Sequence, residues 1–182
     1  MDATILETQR LILRPFRAAD ISEIVRLLSE PAIAETTLNI PWPYDEAKAR
    51  DWLAAQRRER EAGTGITFAI VRREDERLLG AIDIRPNARH QKAEIGYWIG
   101  KPYWGRGYAT EAARAIIRYG FEVLGLNRIH ASHFAENPAS GRVMQKAGMR
   151  FEGVLRQDVR KGDQFRDHAV HAILREDWAS NS

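Results

Sequence analysis

Gly105-Arg106-Gly107 joins two runs of different period, and that junction constrains the fold more than any other stretch of the chain. Upstream, Lys92 to Ile99 alternates, with Ala93, Ile95, Tyr97 and Ile99 on one side, the period of a half-buried strand. Downstream, Tyr108 to Leu124 carries apolar residues at 109, 112, 113, 116, 117, 121 and 124, the period of an amphipathic helix. A strand, a Gly-rich turn and a helix N-terminus in that order present unpaired N–H groups and roughly half a positive charge, which suits a phosphate. Gly105 and Gly107 let the backbone take unusual dihedrals and come close to a ligand. A tight turn with no ligand is the alternative. Two familiar phosphate loops fail: the Walker pattern because Gly107 is followed by Tyr108 and Ala109, and the dinucleotide fingerprint because position 110 is Thr110.

The 182 residues predict one domain, 1–182, long enough for a real core. No cysteine is present, which excludes disulfides, a thiolate nucleophile and Cys-ligated metal. The opening Met-Asp-Ala-Thr lacks a basic region followed by an apolar run, so no signal peptide is expected. No apolar stretch approaches membrane-spanning length, and a cytoplasmic location is expected. The formal charge of +3 is compatible with a polyanionic ligand. Arg57 to Glu61 and Arg72 to Arg77 alternate in sign and read as solvated faces. No basic-aromatic stripe appears, so no direct nucleic-acid contact is expected.

Within Leu6 to Phe16, Arg10-Leu-Ile-Leu-Arg14 predicts a short strand, and Asp20 a cap for the helix that follows, with Pro31 ending it. Residues 31–43, with Pro31, Pro41 and Pro43 around Trp42, predict an irregular segment, either a lid on the substrate side or a packed connector. Asp45 caps a longer helix reaching Gly63. Strands are predicted at Gly65 to Arg72, Leu78 to Pro86, 92–99 and Arg128 to Phe134, the last after a helix with Gly125 near its C-cap. Asn137, Pro138 and Gly148 mark the start and end of another helix. Met149 to Val159 and Gln164 to Leu174 complete the chain as a pair of strands.

Gly105-Arg-Gly-Tyr-Ala109 resembles the acetyl-CoA pyrophosphate loop of the GCN5-related N-acetyltransferases, whose signature is Arg/Gln-x-x-Gly-x-Gly/Ala. Gly107 and Ala109 match its last two fixed positions; Trp104 stands where Arg or Gln is usual, a departure common in the RimJ/RimL-type branch. Asn137-x-x-Ser140 followed by Gly148-Met149 resembles a second family segment. Thr8 to Phe16, Glu94-Ile-Gly-Tyr-Trp98 and Ala172 to Trp178 agree with the same branch. The resemblance implies an α+β fold: a mixed, mostly antiparallel seven-stranded sheet, splayed between its fourth and fifth strands and flanked by about four helices. It implies acetyl-CoA as co-substrate and no metal. Its cofactor contacts would come from Trp98, Ile99, Trp104, Gly105, Arg106, Gly107, Tyr108, Ala109, Thr110 and Asn137.

The implied reaction is direct attack of an amine on the thioester. An α-amine titrates near 7.7–8.0 and a lysine side chain near 10.4, so an N-terminal amine needs the weaker base. Glu94, on the face of its strand opposite Ala93, Ile95 and Tyr97, is the expected base, with an exposed strand residue as the alternative. Relatives often place a tyrosine acid where this chain has Met144, and a thioether cannot donate a proton. Ser140 could donate instead, or simply cap its helix. Among the five histidines, His130 and His133, and His168 and His171, point to opposite faces of their strands, which argues against a metal site. The expected acceptor is a protein N-terminus, ribosomal proteins being the branch's best-known targets. A small amine (polyamine, amino acid or aminoglycoside) is the alternative, and a non-catalytic acyl-CoA-binding module a second one. A monomer or homodimer is expected.

Overall fold

The computed structural model describes residues 4–180. Met1–Ala3, read above for a signal peptide, lie outside them. The elements run β1 (Leu6–Glu7), β2 (Leu11–Arg14), α1 (Ile21–Leu28), α2 (Pro31–Thr36), α3 (Glu46–Ala62), β3 (Ile66–Arg72), β4 (Leu78–Asn87), β5 (Lys92–Ile99), α4 (Tyr108–Glu122), β6 (Arg128–Phe134), α5 (Pro138–Lys146), β7 (Arg150–Lys161), β8 (Gln164–Leu174) and α6 (Arg175–Ala179). One sheet holds all the strands in the order β1-β2-β3-β4-β5-β6-β8-β7. No helix among the described residues is long and apolar enough to cross a membrane.

The mixed α+β class is as predicted, with eight strands rather than seven and six α-helices rather than four. The extra strand is β1, upstream of the strand predicted at Arg10 to Arg14, which is β2. Thr8 Oγ1 accepts from the Leu11 N–H at 2.9 Å, a local turn that folds β1 back on β2. One extra helix is α2. Pro31 starts it instead of merely ending α1, since a proline at the first helical position loses no hydrogen bond. The other is the short α6. Asp20 does not cap α1 with its side chain; that carboxyl is held by Arg14 and by the Arg17 N–H. Asp45 does cap α3, accepting from the Lys48 N–H at 2.9 Å.

Every strand pair is antiparallel except β5–β6. That parallel pairing spans only Lys92↔Arg128, Ala93↔Ile129 and Glu94↔His130, after which the two strands part. The splay expected between the fourth and fifth strands falls, with β1 as an extra strand, between β5 and β6, as a gap opening beside Ile95 to Ile99, whose other edge stays bound to β4. α1 and α3 cover one face, with Leu27 of α1 against Gly100 and Gln56 of α3 bonded to Thr67. α4 covers the other, so close that a Cβ on Gly120 would meet Ile129 and Ile84. Phe68, Ile82, Ile84, Ile116 and Ile129, all fully buried, form the middle of the core. Burying side chains of this size contributes on the order of 2 kcal/mol each.

Candidate active site

The turn at 105–107 has the predicted form. Gly105 and Gly107 sit at φ +73° and +81°, the left-handed region that other residues enter only with strain, and Gly107 is the N-cap of α4. A Cβ on Gly105 would meet nothing within 4 Å, so open space lies above that backbone. Glu111, in the first turn of α4, does not fill the site. Thr8 Oγ1, the Arg10 N–H and Arg10 Nε donate to its carboxylate at 2.6–2.8 Å. Arg10 also donates from Nη1 to the Arg106 carbonyl at 3.0 Å and lies over the Tyr108 ring. It fixes the loop from outside, a role that no local spacing could reveal because Arg10 lies about 100 residues upstream.

Two cavities open on either side of the splay. One, of about 330 Å³, is lined by Trp104, Gly105, Gly107, Tyr108, Ala109 and Thr110 together with Asn137, Arg142, Val143 and Lys146 of α5. Trp98 and Ile99 border it, with the Trp104 indole N–H donating to the Ile99 carbonyl at 2.6 Å. Arg106 is exposed and stands outside the lining. The other cavity, of about 380 Å³, is lined by Ile40, Tyr44, Trp52, Asp83, Glu94 and Phe134 among others. Tyr97, Trp98, Ser140, Thr36 and Thr37 belong to both walls. The two cavities therefore meet at the splay, beneath the C-terminal end of α2.

Ser140 lies at that meeting point. Its Oγ is 2.7 Å from the Tyr97 hydroxyl, which also donates to the Ser140 carbonyl at 3.1 Å. The Ser140 N–H is capped by Asn137 Oδ1 at 3.4 Å, so Asn137 serves its helix. Burial, eased a little by the bond to Ser140, drives the Tyr97 hydroxyl up to about 12 and keeps it a phenol at neutral pH. Met144 is buried in the wall of the larger cavity. The chain thus carries a phenol at this junction on β5, while the helix position is Met144. Tyr97 was visible in the sequence as an apolar member of an alternating run and as part of the Glu94 to Trp98 segment, neither of which marks its hydroxyl for this junction.

Glu94 lines the larger cavity from the exposed end of β5, directly opposite Arg85. Asp45 and Glu46 do not join it; they pair with Lys48 and Arg50 at the start of α3. Asp83, not singled out above, lines the same wall two cross-strand pairs nearer Trp98. Leu38, Ile40 and Pro41 of the proline-rich segment also line this cavity, as a lid would. Within β6 and within β8 the histidines do face opposite ways. Across the strands, however, His133 and His171 come together at 5.3 Å between ring centroids, a pairing that single-strand parity does not reveal.

Residues 10–150 match the sequence profile described as an acetyltransferase (GNAT) domain. The uncharacterized N-acetyltransferase YoaA of Bacillus subtilis is 35% identical over 174 residues, 94% of this chain and 97% of that protein. The [ribosomal protein uS5]-alanine N-acetyltransferase of Escherichia coli is 27% identical over 118 residues, 64% of this chain and 61% of that enzyme. The crystal structure of a GNAT-family acetyltransferase from Bacillus anthracis superposes with a TM-score of 0.84 at 28% identity, over 95% of this chain and 99% of that one. With the profile spanning most of the chain and the splayed sheet and glycine turn in place, the protein belongs to the GCN5-related N-acetyltransferase (GNAT) family.

Proposed function

We propose that the protein transfers acetyl from acetyl-CoA to a primary amine, most favourably the α-amine of a protein N-terminus. The observation that carries this reading is the meeting of two cavities at Tyr97, Trp98 and Ser140, one under the glycine turn and one under α2 and α3. In this reading the first cavity holds acetyl-CoA. The N–H groups at the start of α4, from Gly107 to Thr110, face the pyrophosphate, and Arg142 and Lys146 stand beside it. The unpaired edge of β5 at 95–99 receives the pantetheine arm like an added strand, which brings the thioester to the junction. Ser140 Oγ, backed by the Tyr97 hydroxyl, stands where a hydrogen bond can reach the departing sulfur.

The second cavity takes the acceptor. Its walls are aromatic and aliphatic at Ile40, Tyr44, Trp52 and Phe134, with carboxylates on one side only. That lining suits an N-terminal residue with its ammonium toward Asp83 and Glu94 better than a polycation, which would need acids along its length. The similarity to the uS5-alanine enzyme supports the same acceptor class.

Incubation with acetyl-CoA and a panel of N-terminal peptides, polyamines and amino acids tests this reading. CoA release should depend on the acceptor and be fastest with short peptides bearing a free α-amine. Preference for a polyamine would move the assignment to a small-molecule acetyltransferase. Acetyl-CoA binding with no turnover of any acceptor would overturn the catalytic reading.

A further inference from the structure

Asp83 lies in the β4 run Leu78-Leu-Gly-Ala-Ile-Asp-Ile84, whose leucines, alanine and isoleucines are at most 4% exposed. Burying an ionised carboxyl is costly unless hydrogen bonds satisfy it. Here they do so only in part. The Gly96 N–H reaches the carboxyl, but Oδ1 is buried and has no hydrogen-bond partner. Arg85 Nη1 stands 3.1 Å from Oδ1 as an ion pair without hydrogen-bond geometry, on a side chain that is 47% exposed. The carboxyl lies over the β5 backbone, because a Cβ on Gly96 would come within 3.0 Å of Oδ2. Gly96 is thus the residue that leaves room for it, two positions from Trp98 at the cavity junction. Glu94 is two positions farther away, roughly 7 Å along the strand.

We propose that Asp83 is the group that takes the proton from the acceptor's ammonium, with Glu94 attracting the cation at the rim. This deepens the acetyltransferase reading and rests on it. The ammonium gives one proton to the Asp83 carboxylate, and the freed nitrogen lone pair attacks the thioester carbonyl carbon. The N–C bond forms, the C–S bond breaks, and its electron pair leaves on sulfur. A second proton of the nitrogen passes through the Ser140 hydroxyl to that sulfur. The third stays on the amide, and Asp83 returns its proton to solvent.

The electrostatics agree with this geometry. Burial pushes the Asp83 carboxyl up to about 7; Arg85 and the Gly96 N–H oppose the rise, and the charges of Glu94 and Glu59 add to it. Those are the charged groups facing it from β4, β5 and α3. Lys48 of α3, also at the cavity, is paired with Asp45, and β3 presents the uncharged Thr67. A base of that strength is close to matched with an α-ammonium titrating at about 7.7–8.0.

The test is the pH dependence of kcat/KM for the best peptide acceptor between pH 6 and 9.5, in the unmodified protein, Asp83→Asn and Glu94→Gln. Asp83→Asn should be slower by about 100-fold at pH 6.5, the lower end of what general-base removal costs. The deficit should shrink toward a few-fold near pH 9.5, where the free amine needs no base, with acetyl-CoA affinity unchanged. Glu94→Gln should raise KM and keep the unmodified inflection. A deficit for Asp83→Asn that is small or independent of pH, or the shifted profile appearing in Glu94→Gln instead, would overturn the proposal. Should Asp83→Asn fail to fold, Gly96→Ala, which presses on Oδ2 but keeps the carboxylate, must lower kcat more than it changes acetyl-CoA affinity. Rates unaltered in a folded Gly96→Ala would overturn it as well. Failure of the unmodified protein to acetylate any amine would remove the acetyltransferase reading itself, whereas normal turnover by Asp83→Asn would remove only the role of Asp83.

Discussion

Asp20 and Asp83 are both largely enclosed aspartates, and their surroundings drive them in opposite directions. At Asp20 burial favours the neutral acid, but Arg14 donates to both oxygens at 2.8 Å and the Arg17 N–H donates at 2.7 Å. Together these outweigh burial and hold the carboxyl below its usual range. At Asp83 the Arg85 charge and the Gly96 N–H oppose burial too weakly, Oδ1 has no hydrogen-bond partner, and the carboxyl rises to about 7. One is a structural strut between β2 and α1; the other is held ready for a proton. Asp20 therefore contributes stability that is present above the ordinary carboxylate pKa of about 3.8 and is lost as pH falls through its depressed value. Asp20→Ala, which strands the Arg14 guanidinium, should cost about 3 kcal/mol near neutral pH, measured by urea unfolding. The difference from the unmodified protein should narrow toward pH 3; a constant difference would argue against the pair as its source. The sequence suggested only a cap for Asp20, because the Arg14–Asp20 pair exists once a strand and a helix are packed together. Asp83 did leave a signal, a single acid inside an apolar strand, whereas Arg10 and Tyr97 left none that local spacing could read.

β5 and α4 were legible because each carries a period that its packing enforces: β5 must pair with β4 on one edge, and α4 must bury one face on the sheet. α2 was not, since six residues give too few turns for a period, and Pro31 together with Pro41 and Pro43 beyond it favours an irregular reading. Its place is instead set from afar. Lys161, the last residue of β7, donates from Nζ to the Ala34 and Thr37 carbonyls and holds the C-terminal end of α2 over both cavities. Burial lowers the Lys161 ammonium below the usual lysine range, with Arg166 adding to the fall and Glu35 opposing it. The β4–β5 ladder sets the junction just as firmly. A Cβ on Gly80 would lie 2.1 Å from the Trp98 carbonyl oxygen and 2.9 Å from the Ile99 Cα. These are backbone atoms, with no rotamer to relieve the contact. Gly80→Ala should therefore destabilise by about 3 kcal/mol or more, the upper end for overpacking, and weaken acetyl-CoA binding by shifting 98–99. Gly65→Ala is the control: the nearest atom to its Cβ would be the end of the flexible Glu59 side chain at 3.1 Å, with Arg85 Cγ and Glu59 Cβ at ordinary contact distance, and it should cost less than about 1 kcal/mol. Equal stability of the two variants in denaturant would contradict this account of the junction.

At the scale of the molecule, one sheet supplies two separate kinds of wall. Its β5–β6 gap, the start of α4 and α5 form the side that carries Arg142 and Lys146, while β4, α2 and α3 form the aromatic side with Asp83 and Glu94 on β4 and β5. The modest net charge of +3 conceals this division, since it comes from where the side chains meet rather than from how many there are. The proposed donor would bind across α4, α5 and β5, elements that are joined only in the folded state, so its binding free energy should add to folding stability. At 100 times its dissociation constant, acetyl-CoA should contribute about 2.7 kcal/mol. For a chain of this size that is a rise in Tm of roughly 5–10 °C. Added salt should shrink the rise by weakening the ligand's attraction to the basic wall. Gly107→Val forces a β-branched residue to φ +81° beside Arg10 and distorts the turn that faces the pyrophosphate. It should lower Tm slightly on its own and abolish most of the acetyl-CoA-induced rise at the same ligand concentration. A folded Gly107→Val protein showing the full shift would mean that acetyl-CoA is held elsewhere than at the glycine turn.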